Sequence, residues 1–209
     1  MRALVLYCHP SPRSFTAAIR NVVLERLAAA GAEVTLIDLY AEGFPPILTR
    51  AEWEGYERTP ENAEPVLSHA EALRAVDTLI FVYPTWWCGL PALLKGWLDR
   101  VLLPGVAFTM PREGRDITPG LTHVSRLAVF TTCGASWWLT TLVGAPGRRT
   151  ILRGVRALCH PRVRTAFCAH YSMDSSTPQS RARHLVRVAA TLDRFLGPRP
   201  AIRESPARA

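Results

Sequence analysis

Pro84-Thr85-Trp86-Trp87-Cys88-Gly89-Leu90-Pro91 puts bulky aromatic side chains into a stretch punctuated like a loop, where polar residues are the norm. Side chains of this kind can cover the faces of a planar ring system while the loop's backbone N–H groups meet its edge. The plainer reading is a hydrophobic loop tucked beneath a neighbouring helix. Cys8-His9-Pro10-Ser11-Pro12-Arg13-Ser14-Phe15-Thr16 offers a different chemistry. Ser11, Ser14 and Thr16 bring hydroxyl donors, and His9 or Arg13 can balance the charge of a phosphate. A helix opening at Thr16 would add N–H groups and a favourable dipole; Ser14 would equally serve as that helix's cap. Phe130-Thr131-Thr132-Cys133-Gly134-Ala135-Ser136 supplies small side chains and free N–H groups. No acid–base pair, C-x-x-C pair or metal-ligand cluster stands out, and Cys133 has no base beside it in sequence to make it a nucleophile.

These segments need elements to hold them. Thr78 to Val82 is a short, apolar, β-branched run, as expected of a buried parallel strand that breaks at Tyr83-Pro84. Leu90, Leu93, Leu94, Trp97, Leu98 and Val101 then recur on one helical stripe over Leu90 to Leu103. Ala3 to Tyr7, Val34 to Leu39, Arg126 to Thr131 and Val163 to Ala169 read as further strands. Thr16 to Ala30, Glu64 to Ala75, Arg148 to Leu158 and Pro178 to Leu196 read as helices, and Tyr40 to Pro65 as an irregular covering segment. Strands alternating with helices predict a five-stranded, doubly wound parallel sheet with helices on both faces. All three chemistry-bearing segments then follow strands and gather at the sheet's carboxyl edge, where such folds bind ligands.

With Pro84, Trp87, Gly89, Pro91, Ala92, Leu94, Lys95, Gly96 and Trp97 in place, the central stretch resembles the Pro-x-x-Trp-x-Gly-x-Pro-Ala-x-Leu-Lys-Gly-Trp core of the NAD(P)H:quinone oxidoreductases, a flavin-containing branch of the flavodoxin-like fold. The resemblance runs from residue 2 to about residue 195. It implies that His9, Ser14, Phe15 and Thr16 grip the flavin's phosphate. It also implies that Pro84, Thr85, Trp86, Trp87 and Cys88, with Thr131, Thr132, Cys133 and Gly134, meet the isoalloxazine. Cys133 stands where the family has glycine. Phe108, in Gly105-Val106-Ala107-Phe108, matches a segment lying over the flavin near a dimer partner, core packing being the alternative. Trp137 and Trp138 would wall the substrate pocket. The family's Tyr–His pair beyond the Thr-Thr turn is missing, so the flavin would carry the chemistry with no catalytic side chain. The resemblance further implies FAD, or FMN, as cofactor, Asp99 standing where relatives with FAD place a Glu. NAD(P)H would be the co-substrate, giving hydride via flavin to a quinone or similar flat electrophile in a two-electron ping-pong reaction. It implies a homodimer with the flavin site at its interface. Other members of the family suggest a different role, as ancillary subunit of a potassium efflux system; an electron-transfer flavodoxin is the other alternative, although flavodoxins are typically acidic and this chain is basic.

Composition bounds the rest. A chain of 209 residues with 48% hydrophobic content suits one domain, residues 1–196, followed by a Pro/Arg-rich tail, 197–209, too polar to pack. No apolar run is long enough to span a bilayer, and Met1-Arg2 leads directly into a strand instead of a signal sequence. Five cysteines without pairing fit a reduced, cytoplasmic setting. The +8 charge is almost all arginine: 25 Lys+Arg less Lys95 leaves 24. Because these are scattered, with modest clusters at Arg148, Arg149, Arg153 and Arg156 and in the tail, they argue against nucleic-acid binding and for attraction of an anionic dinucleotide.

Overall fold

The structure is a computed structural model that describes residues 1–111 and 116–197. The expected tail, apart from Gly197, lies outside the described residues. In chain order the elements are β1 (Arg2–Tyr7), α1 (Phe15–Ala29), β2 (Glu33–Asp38), α2 (Arg50–Glu54), α3 (Leu67–Arg74), β3 (Thr78–Thr85), α4 (Ala92–Val101), β4 (Phe108–Thr109), β5 (Thr118–Pro119), β6 (Arg126–Cys133), α5 (Trp137–Leu142), α6 (Pro146–Arg149), α7 (Arg156–Leu158), β7 (Arg164–His170) and α8 (Pro178–Leu196). A 3-10 turn, Glu61–Val66, precedes α3, and a π-helical stretch, Thr150–Val155, joins α6 to α7.

Five parallel strands in the order β2-β1-β3-β6-β7 make the main sheet, and β4 and β5 form a small antiparallel pair. Alternation along each strand sends side chains to opposite faces. Val5, Tyr7, Ile80, Val82, Ala128 and Phe130 meet Ile19, Val23 and Leu27 of α1 and Val188, Leu192 and Phe195 of α8. Leu4, Leu6, Leu79, Phe81, Leu127 and Val129 face the other way, against Leu73, Leu94, Trp97, Val101, Ile151 and Val155. Both faces of the central strands are therefore apolar, as a doubly covered parallel sheet requires.

β3 does not break at Tyr83-Pro84. It runs on to Thr85, pairing Pro84 with Thr132 of β6. β1 pairs with β3 only as far as Val82, so beyond that point β3 has a single strand neighbour. Proline, lacking an N–H, is tolerated where one side of a strand is vacant. The expected helix from Glu64 to Ala75 is likewise split, because Pro65 lies in the 3-10 turn before α3.

The covering segment is pinned to α4. Arg100 is buried, donates to Pro45 O at 2.6 Å, holds Glu52 through both Nε and Nη2, and has its guanidinium over the Phe44 ring. A Cβ on Gly96 would lie 2.2 Å from Pro46 O, so this backbone can sit on α4 only where α4 has no side chain. Gly96 and the fully buried Trp97, whose Nε1 donates to His69 Nδ1 at 3.3 Å, thus serve packing.

Candidate functional site

β1, β3 and β6 end side by side, so the loops that follow them meet at one edge of the sheet. Two hydroxyl pairs fasten them together. Thr16 Oγ1 lies 3.3 Å from Thr132 Oγ1, and Thr85 Oγ1 lies 3.0 Å from Thr131 Oγ1. The first ties the start of α1 to the end of β6, and the second ties the last residue of β3, just before the aromatic loop, to that same strand end. All three segments singled out in the sequence are brought into one site.

The first loop has the donor set for an anion. Ser14 is the N-cap of α1, its Oγ accepting from Ala17 N at 3.0 Å. Phe15 and Thr16 follow as the first residues of the helix, where backbone N–H groups have no acceptor within the helix itself. His9 Nδ1 accepts from Ser11 N at 3.0 Å, which leaves Nε2–H as the outward donor. Burial lowers the pKa of His9 below the ordinary imidazole value, with the Ser11 N–H bond opposing it, so a neutral donor is favoured at pH 7. Phe15 reaches the site through its backbone, for its ring packs against His170 at 5.4 Å and His184 at 5.8 Å.

The aromatic loop closes with Gly89 N donating to Trp86 O at 2.9 Å. Trp87 (φ 47°) and Cys88 (φ 61°) both occupy the left-handed region, which non-glycine residues enter at a cost of roughly 1–3 kcal/mol each and mostly at functional sites. Trp87 is fully exposed, at 101% of its reference area, and Trp86 is half-exposed with its ring 6.2 Å from that of His9. This loop lies open at the edge and is not tucked under a helix.

At the end of β6, Thr131, Thr132 and Cys133 are buried. The Cys133 thiol points to Thr140 Oγ1, 3.5 Å away, so the residue that replaces glycine is accommodated behind the turn. A small cavity of about 20 Å³ lies there, lined by Thr85, Cys88, Thr131, Cys133, Arg148 and Tyr171 among others. Gly134 closes the turn beneath Asp174, whose Oδ2 would be 2.7 Å from an added Cβ. Among the described residues no group of His, Cys, Asp and Glu could hold a metal. Burial pushes the Cys8 thiol up to about 12, which keeps it neutral.

The remaining expected residues stand on other elements. Phe108 is partly buried against the first core, its backbone paired with Pro119. Asp99 is bonded to Lys95 Nζ at 2.6 and 2.8 Å on α4. Trp137 and Trp138, expected to wall the substrate pocket, open a short helix, α5, just past the end of β6 and stand 62% and 64% exposed.

The sequence did not reveal the part played by the β7 edge. His170, Tyr171, Ser172, Ser176, Arg183 and Arg187 line a cleft of about 610 Å³ whose His170 touches Phe15. Its only sequence signal is position, since residues 171–177 follow a strand at the same sheet edge.

Residues 1–192 match a family model described as a flavodoxin-like fold. NAD(P)H dehydrogenase [quinone] 1 of Rattus norvegicus is 29% identical over 205 residues, covering 88% of this chain and 73% of the relative. Ribosyldihydronicotinamide dehydrogenase [quinone] of Pongo abelii is 34% identical over 126 residues, 53% of this chain and 54% of the relative. Against the ribosyldihydronicotinamide dehydrogenases, the chain spans about half of the relative's length. Smu.1420 of Streptococcus mutans superposes with a TM-score of 0.76 at 28% identity, covering 91% of this chain and 97% of that one. An FMN-dependent NADH-azoreductase of Bacillus anthracis, solved with FMN, superposes with a TM-score of 0.74 at 15% identity, over 94% and 99% of the two chains. The last shares the fold alone. The resemblance to NAD(P)H:quinone oxidoreductases read from the loops is borne out by these relatives.

Proposed function

We propose that this chain, which belongs to the flavodoxin-like fold family, is a flavin-dependent oxidoreductase that passes hydride from NAD(P)H to a quinone or similar flat electrophile, in two half-reactions at one site. The observation that carries the reading is the joining of three ligand-type loops at one edge by the Thr16–Thr132 and Thr85–Thr131 pairs. The residues fit a flavin. N–H groups at the start of α1, with His9 Nε2–H, suit its phosphate, and the left-handed backbone at Trp87 and Cys88 would offer its N–H groups to a ring edge. When bound, the flavin supplies the hydride-accepting and hydride-donating ring.

This chain's own residues bind, orient and exclude water. Thr131 and Thr132 hold the turn in place, and the Trp86 and Trp87 faces offer a stacking surface for flat molecules. FAD is favoured over FMN because the cleft bearing Arg183 and Arg187 continues from Phe15, offering positive charge to a second phosphate. Trp86, Trp87, Trp137, Trp138, Leu142 and Val143 leave a large apolar area exposed near the edge, which supports a homodimer with the site at its interface.

Titration of FAD, and separately of FMN, into flavin-free protein tests the fit. Quenching of flavin fluorescence at micromolar concentration is expected, with FAD the tighter. No quenching by either would end the proposal.

A further inference from the structure

We propose that the arginine-lined cleft alongside α6 binds the 2′-phosphate of NADPH, so that this chain discriminates NADPH from NADH. The inference rests on the hydride-donor reading above and names its donor.

The cleft holds about 340 Å³ and is lined by Thr141, Gly144, Ala145, Arg148, Arg149, Leu152, Arg153, Arg156 and Thr165. Four arginines share it with no carboxylate. Among the described residues none of the four is in an ion pair, although the carboxylates of the chain neutralise arginines elsewhere, at Asp38, Glu52, Glu54 and Asp193. Like charges gathered without a counter-charge repel one another, and an anion of two or more charges would relieve that repulsion. Arginine is also the side chain best matched to phosphate, through two parallel N–H donors.

The chain holds these groups in position. Gly144 (φ 91°) and Ala145 (φ 46°) turn α5 into α6 through the left-handed region. A Cβ on Gly144 would come within 3.0 Å of Arg149 Nη1, so the guanidinium occupies the space that the glycine leaves. Arg153 stands exposed in the π-helical stretch that follows. Arg148 lies over the Phe167 ring, 4.9 Å from its centroid.

Position selects the ligand. Ala145 and Arg148 line both this cleft and the small cavity behind Cys88 and Cys133, so the cleft starts at the back of the ring-edge loops. Arg149, Arg153 and Arg156 line this cleft and not the small cavity. A dinucleotide with its nicotinamide at the flavin edge would carry its adenosine end toward them. NADPH and NADH differ there only by the 2′-phosphate.

The test is calorimetric titration of the full chain with adenosine 2′,5′-bisphosphate and with AMP, repeated on Arg149→Ala/Arg153→Ala. Both residues are exposed, so the fold should tolerate the change. The bisphosphate is expected to bind at least about tenfold tighter than AMP, the advantage vanishing in the variant while AMP binding stays the same, as for loss of charge-assisted hydrogen bonds. In turnover, KM for NADPH is expected to rise about 10- to 100-fold and KM for NADH to hold. Equal affinity for the two nucleotides, an advantage that survives the substitution, or competition by inorganic phosphate at matching concentration would overturn the proposal. Failure to take up flavin would instead defeat the oxidoreductase reading, and the calorimetric comparison does not depend on it.

Discussion

The hydroxyl of Thr16 meets that of Thr132 across 3.3 Å in a buried setting, though 116 positions separate them in the chain. It joins the helix start that would face a phosphate to the turn that would face a ring. Thr132→Val keeps the shape, removes the bond and leaves the Thr16 hydroxyl buried without a partner. That should lower stability by about 1–3 kcal/mol and weaken flavin binding, read by urea unfolding and fluorescence titration. In a double-mutant cycle with Thr16→Val the coupling should be about 0.5–1.5 kcal/mol. Zero coupling would mean the two loops are positioned independently.

Trp87 holds a left-handed backbone conformation while its side chain is wholly exposed. Strain without compensating burial suggests selection for a ligand. Trp87→Gly should therefore leave stability unchanged or raise it by about 1 kcal/mol, while weakening flavin or acceptor binding. A clear loss of thermal stability in the variant would show that the tryptophan supports the fold.

Gly96 is tied to packing and not to the ligand. Gly96→Ala would drive a methyl group into Pro46, a backbone neighbour that cannot move aside cheaply. Destabilisation of about 2 kcal/mol or more is expected, in the range of overpacked sites. Flavin affinity of the folded fraction should be close to that of the unaltered protein. The opposite pattern, normal melting with lost flavin binding, would place Gly96 in the site.

His184 is held down to about 4 by burial first, then by Arg187 and His170. Its Nδ1 lies 2.7 Å from Arg187 Nη2, and Nε2 is buried without a partner. Below the unfolded-state value near 6.5 the unfolded chain takes up a proton that the folded chain refuses. This contribution is complete above about pH 6.5 and is lost as pH falls toward about 4, amounting to at most about 3 kcal/mol. His9 and His170 are lowered too and act in the same direction. Urea midpoints should fall between pH 7.5 and 5, and less steeply in His184→Leu. A flat profile would contradict this.

Much of the site was legible because each loop follows a strand whose apolar run is unmistakable, as in Thr78 to Val82, and because its residue types are out of place in an ordinary turn. The continuation of β3 through Pro84 was hidden, since only the shortness of β1's pairing makes room for a proline there. Helix α5 was hidden for another reason: it buries none of its side chains, so Trp137 and Trp138 form no stripe against this chain's core. Tyr171 comes to this edge because β7 ends beside β6, and Arg183 and Arg187 come to it from α8. That neighbourhood is a property of topology, and local pattern does not encode it.

The central claim is that the edge formed by these loops holds a flavin reducible by a nicotinamide donor. It is tested most directly by the visible spectrum of the flavin-loaded protein, recorded anaerobically during stepwise addition of NADPH. The account predicts complete bleaching at one equivalent of donor per flavin, and return of the oxidised spectrum when a quinone is added. A bound flavin that stays oxidised in excess NADPH, or a protein that remains colourless with both FAD and FMN, would contradict it.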